Sequence, residues 1–123
     1  MRIAVCVKCG DEQATLVKWI GQYCDIYGVA CTITTTGDPE ELLGWCRDEP
    51  FQLVFLGLGG QDGLLATRRL REMDKNCAIV MIDDTAENAV KGVRLHVADY
   101  MVRPVEFKKL VRAMKLALAG VEA

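Results

Sequence analysis

Four short stretches of the chain carry residue types and spacings that do chemistry. Cys6-Val7-Lys8-Cys9 is a CxxC. Between a strand and a helix, such a pair can be a thiol redox centre, because the helix N-terminus lowers the first thiol's pKa. Gly57-Leu58-Gly59-Gly60-Gln61-Asp62-Gly63 follows an apolar run and opens a helical one, the setting in which backbone amides cradle an anion. Its glycine register is not that of a dinucleotide fingerprint, since the third glycine would have to fall at Asp62. Asp83-Asp84 closes a further apolar run, and Arg103-Pro104 closes another. Other machinery is sparse. Serine is absent, which removes a serine nucleophile, and the single histidine, His96, reads as a surface-loop residue. Cys24, Cys31, Cys46 and Cys77 supply no second CxxC, so a four-ligand zinc site is not expected. The basic stretch Arg68-Arg69-Leu70-Arg71 reads as a solvated helix face, and Lys108-Lys109 with Arg112 and Lys115 read either as another or as partners of acids across a dimer.

Short apolar runs position these residues. Ile3–Val7, Val29–Thr34, Leu53–Leu56, Ala78–Ile82 and Ala98–Val102 are strand-like. They alternate with helical stretches: Asp11–Tyr27, one from Asp38 to about Asp48, Asp62–Met73, one from Asp83 to about Leu95, and one from Pro104. Gly28 suits the stop of the first helix. Asp38-Pro39-Glu40-Glu41 reads as a capping box, with Asp38 the cap and Glu41 reaching back. Leu16, Ile20, Tyr23 and Tyr27 should share one buried face, as should Ala66, Leu70 and Met73, and Phe107, Leu110, Val111, Met114 and Leu118.

Continuous apolar strands between amphipathic helices predict a doubly wound (βα)5 α/β sandwich on a five-stranded parallel sheet, of the flavodoxin type. In this architecture ligands bind at the carboxyl ends of the strands, where all four chemical stretches fall.

Composition narrows the function classes. The 123 residues suit one domain spanning 1–123. The 15 Lys and Arg against 17 Asp and Glu leave a net charge of −2, which excludes a nucleic-acid glove or a polybasic membrane binder. The longest apolar runs fall far short of the roughly 18 residues of a membrane span, and the first residues carry no leader pattern. The six cysteines read as reduced thiols filling a core, in a cytoplasmic protein.

As a whole the chain resembles a response-regulator receiver domain, from Met1 to about Leu118. The opening Met1-Arg2-Ile3-Ala4-Val5-Cys6 and the stretch Ala98-Asp99-Tyr100-Met101-Val102-Arg103-Pro104-Val105 look most like receivers of LytTR-type transcriptional regulators. The resemblance implies a pocket at the strand ends, and this chain departs from the family there. Val7 and Lys8 stand where an acidic pair holds Mg²⁺. Gly57 stands at the phospho-accepting aspartate, Asp83 at the hydroxyl residue and Arg103 at the lysine. Tyr100 matches the switch aromatic.

Phosphoryl transfer to a side chain needs a carboxylate nucleophile and a cation on the phosphoryl oxygens. Gly57 is no nucleophile, Val7 cannot ligate a hard cation and Lys8 repels one. The expectation is therefore a non-enzymatic pseudo-receiver that binds no Mg²⁺, with Lys8 and Arg103 clustered on Asp83 in place of metal and phosphate. It would act through a protein partner or a homodimer, on the face of the fourth helix, fifth strand and fifth helix. DNA would be bound only by an output domain outside this chain, and no membrane is involved. Two readings from other classes remain open: an anion or nucleotide binder using Gly57–Gly63, and a thiol redox protein using Cys6 and Cys9.

Overall fold

The computed structural model describes residues 1–122 and the side chains of residues 1–119; residue 123 of the expected domain lies outside the described residues. The strands are β1 (Arg2–Val7), β2 (Thr32–Thr36), β3 (Leu53–Gly57), β4 (Ala78–Asp83) and β5 (Asp99–Val102). They alternate with α1 (Gly10–Tyr27), α2 (Pro39–Asp48), α3 (Gly60–Met73), α4 (Ala89–Arg94) and α5 (Phe107–Glu122). All pairings are parallel and the order is β2-β1-β3-β4-β5, a doubly wound flavodoxin-like α/β sandwich. The order reverses between β1 and β3, which opens a crevice at their carboxyl ends.

The sheet is buried on both faces because its central strands are apolar between Arg2 at the start of β1 and Asp83 at the end of β4, and successive side chains take opposite sides. Ile3, Val5, Val7, Phe55, Val80, Ile82 and Met101 face α1 and α5, where they meet Leu16, Ile20, Leu110 and Met114. Ala4, Cys6, Val54, Leu56, Ile79 and Met81 face the other side, against Leu42 and Leu43 of α2 and Leu64 and Leu70 of α3.

Several boundaries differ from the sequence reading, each for a local reason. β2 begins at Thr32 rather than Val29, because Gly28 ends α1 in the left-handed region (φ 67°) and the next amide, Val29 N–H, still donates to the Cys24 carbonyl. Asp38 caps α2 by accepting from Glu40 N–H at 2.9 Å. The reciprocal half of the box is not made by Glu41; Asp38 N–H donates instead to the Thr36 hydroxyl at 3.0 Å. α4 is one short helix that starts at Ala89, not at Asp83, because Asp83 finishes β4 and 84–88 form turns. α5 starts at Phe107, and Pro104 lies in the preceding turn with a cis Arg103–Pro104 peptide.

Three apolar residues expected on buried faces are exposed: Tyr27 at the end of α1, Met73 at the end of α3, and Phe107 at the start of α5. At helix ends the wheel no longer faces the sheet. Among the described residues no helix is long and apolar enough to cross a membrane.

Candidate functional site

The carboxyl ends of β1, β3, β4 and β5 converge, and two charged assemblies sit there side by side. The first is built on Arg103, just past β5. Its guanidinium grips the Glu12 carboxylate through Nε (2.9 and 3.2 Å) and Nη2 (2.9 Å). It also donates to the Gly57 carbonyl at 2.7 Å and to Asp84 at 3.3 Å. Glu12 comes from the first turn of α1, and its side chain is 17% exposed against 24% for Arg103. The fork geometry matches a carboxylate, so the pair is directional as well as charged. The Glu12 hydrogen bond, and then Asp84, hold the guanidinium's pKa above its ordinary value. The pair forms one wall of an open groove of about 510 Å³ between α1 and the β5–α5 turn.

Beneath the guanidinium lies Gly57, paired in register with Val7. A Cβ at Gly57 would sit 2.9 Å from Val7 Cγ2 and 3.1 Å from Arg103 Nη2. The space a side chain would need is already filled by a stiff β-branched residue and a cation. Gly57→Ala is therefore expected to cost about 1–3 kcal/mol by overpacking, measured by urea denaturation. Val7→Ala in the same chain should recover part of that loss. A Gly57→Ala protein as stable as the parent would mean that the β1–β3 seam relaxes freely.

The second assembly is built on Asp83, which is 4% exposed. Its Oδ1 accepts from Gly60 N–H at 3.0 Å and Asp84 N–H at 2.7 Å. Its Oδ2 meets the Tyr100 hydroxyl at 2.6 Å and Asn88 Nδ2 at 3.5 Å. The Tyr100 hydroxyl also lies 2.9 Å from the Thr85 carbonyl, so the ring is held inward over the β4–α4 turn. α4 registers that ring closely: a Cβ at Gly92 would be 3.5 Å from Tyr100 Cδ2 and 3.4 Å from Met81 Sδ.

Burial pushes the Asp83 carboxyl up, but the Tyr100, Gly60, Asp84 and Asn88 donors outweigh it and hold its pKa below the usual value. Burial and the facing carboxylate push the Tyr100 phenol well above its usual range. A carboxyl whose pKa is lower folded than unfolded stabilises the fold above the unfolded value, near 4. That contribution is lost as pH falls through the folded value. Asp83→Asn should cost about 1–3 kcal/mol at neutral pH and flatten the acid limb of a urea-midpoint series. Equal acid limbs in the two proteins would contradict a buried, ionised Asp83.

The expected Lys8/Arg103–Asp83 cluster is thus replaced by a different pairing. Lys8 leaves it altogether, its side chain 60% exposed and its ammonium 3.8 Å from Asp62. Lys8 closes the β1 side of the crevice where α1 and α3 begin, and water there costs a lysine least. Arg103 takes Glu12 and Asp84 rather than Asp83, and Asp83 is satisfied by neutral donors. Val7 and Gly57 do lie at the centre of the site, and Tyr100 at its β5 edge. Glu12 was the residue missed, because an acid in a helix's first turn is ordinarily read as complementing the helix dipole.

The other candidates separate as well. Gly60 N–H, the amide of the glycine loop that opens α3, is spent on Asp83. Cys6 is fully buried while Cys9 is exposed at the start of α1, and burial raises the Cys6 thiol to about 11, opposite to an activated redox thiol. His96 is exposed, as expected for a surface loop.

Comparison with known proteins agrees with this fold. The family model of the response regulator receiver domain matches residues 7–115. No curated protein matches. Among solved structures, the response regulatory domain of protein mrkE from Klebsiella pneumoniae superposes with a TM-score of 0.83 at 20% identity, each chain covered in full. The receiver domain of NtrX from Brucella abortus gives 0.80 at 21% identity, with 95% of this chain and 98% of that one covered. NtrX from Brucella abortus in complex with ADP gives 0.81 at 22% identity and 98% coverage of this chain. This chain spans only 26% of that longer protein. At such identities the structures speak for the fold, and the family model speaks for descent: the chain belongs to the response regulator receiver domain family, the signalling module of two-component systems.

Proposed function

We propose that this receiver is a pseudo-receiver, a signalling module that works by protein contact without aspartate phosphorylation. The observation that carries this reading is the filling of the phospho-acceptor position: the space for a side chain at Gly57 is taken by Val7 and by an Arg103 guanidinium anchored on Glu12. A hard dication does not fit the same residues. Val7 and Lys8 replace oxygen ligands on β1, and the carboxylates nearest the Gly57 carbonyl are already engaged by Arg103. Arg103 supplies permanently the positive charge that a metal and a lysine would otherwise bring. Asp83 supplies a fixed negative charge that holds Tyr100 inward.

The partner would be another protein, or a second copy, on the α4–β5–α5 face. Val90 and Val93 of α4 are exposed there beside the ring-bearing strand. In the natural protein a LytTR-type output domain would make any DNA contact. An anion-binding role for Gly57–Gly63 is the less supported reading, because the Asp83 carboxylate already occupies the Gly60 amide and would repel an incoming phosphate.

Thermal unfolding with Mg²⁺ plus beryllofluoride tests the proposal. The expected result is no shift in melting temperature. A rise of several degrees with that mixture would overturn it, and a rise with phosphate or a nucleotide alone would favour the anion-binding reading.

A further inference from the structure

We propose that Cys24 and Cys31 form an oxidisable dithiol, a disulfide site joining the end of α1 to the entry of β2. The backbone brings them together. Gly28 turns the chain back in the left-handed region, and both Gly28 N–H and Val29 N–H donate to the Cys24 carbonyl. The returning segment is then pinned to the N-terminus: the terminal ammonium donates to the Ala30 carbonyl at 2.8 Å, and Thr32 N–H to the Met1 carbonyl at 2.8 Å. Cys31 is thereby set against the same apolar cluster that buries Cys24, and its thiol is near enough to act on that of Cys24.

Position assigns the roles. Cys31 is half-buried and reachable, whereas Cys24 is only 1% exposed. Burial and the Cys31 thiol raise the Cys24 thiol to about 12, so it is the resolving partner rather than the first to react. A small-molecule disulfide is a sufficient oxidant. The Cys31 thiolate attacks one of its sulfurs, forming a mixed disulfide and releasing one thiol. Cys24 then gives up its proton, its sulfur attacks that of Cys31, and the second small thiol leaves. Two protein thiols are oxidised to one disulfide and one small disulfide is reduced to two thiols. The bridge lies at the amino end of β2, opposite the Arg103 pocket, so oxidation here and the phosphorylation state of the pocket are independent questions.

The test equilibrates the purified native protein with glutathione disulfide at mildly alkaline pH. Free thiols are then alkylated, and the chain is cleaved by chymotrypsin after Tyr27, between the two cysteines. The expected product has lost two hydrogens, links the Cys24 and Cys31 peptides and reverts with dithiothreitol. Cys31→Ser should abolish the bridge, and Cys24→Ala should stop at a glutathione adduct on Cys31. Wild-type protein that keeps both thiols free, that stops at the Cys31 adduct, or that bridges through Cys9 overturns the proposal. Cys31→Ser replaces a half-exposed residue and decides the matter even where Cys24→Ala fails to fold.

Discussion

Arg103→Ala is expected to lower the unfolding free energy by about 2–4 kcal/mol, because it leaves a nearly buried carboxylate without its partner. Glu12 would keep its position in the first turn of α1, walled in by the crevice, and would lose every charged donor shown for it. The Gly57 carbonyl would lose its side-chain donor as well. A double replacement separates pairing from packing. Arg103→Met with Glu12→Leu removes both charges and keeps volume, so it should recover most of the loss. Arg103→Lys should recover only part, since an ammonium cannot grip a carboxylate through two parallel bonds and reach Gly57 at once. Urea denaturation with unchanged m-values reads all of these. A loss below about 1 kcal/mol for Arg103→Ala would put the pair among ordinary surface ion pairs and remove the physical basis for a plugged pocket.

The positions of this site are legible in the sequence because they follow from strand ends, and strand ends follow from hydrophobic runs. Val7, Gly57, Asp83 and Arg103 each close such a run, and parallel winding brings all four together whatever their side chains are. The partnerships are not legible. Asp83, Asp84 and Glu12 all carry carboxylates toward one end of the sheet, and which of them Arg103 grips depends on a few ångströms of helix placement. Asp83 is excluded because its oxygens are consumed by backbone amides and by Tyr100. The Gly60 amide is available because it is the first of α3, and the Asp84 amide because β4 runs one residue further than its apolar run and α4 starts late. The cysteines repeat the lesson. The conspicuous CxxC is split between core and solvent because β1 ends at Val7, between the two cysteines, whereas Cys24 and Cys31 are brought to one cluster by a left-handed glycine turn that spacing does not reveal.

A second misreading by composition carries the other large effect. In the run Arg68-Arg69-Leu70-Arg71 only the first residue is a plainly solvated cation. Arg69 pairs with Glu40 across α2 and α3. Arg71 turns inward and spreads its guanidinium over four carbonyls: Leu95 at 2.9 Å, Asp74 at 3.2 Å, Cys77 at 2.6 Å and His96 at 3.0 Å. These belong to the end of α3, the entry of β4 and the α4–β5 turn. One side chain therefore ties together the amino ends of the two strands whose carboxyl ends carry Asp83 and Arg103. His96 adopts a positive φ of 57°, which a non-glycine residue keeps only where its surroundings hold it.

Arg71→Ala should cost about 2–4 kcal/mol, since several carbonyls lose a charged donor together and bonds of this kind count for more than neutral ones. Arg71→Lys should restore little, because a compact ammonium cannot span four acceptors that a planar fork reaches. Hydrogen exchange supplies the local readout. The amides of Val97 and Ala98, which bond Gly92 and Ile79, should open faster than the global loss of stability requires. Protection lost evenly over the whole sheet would instead mean that Arg71 contributes general stability and that the α4–β5 turn stands without it.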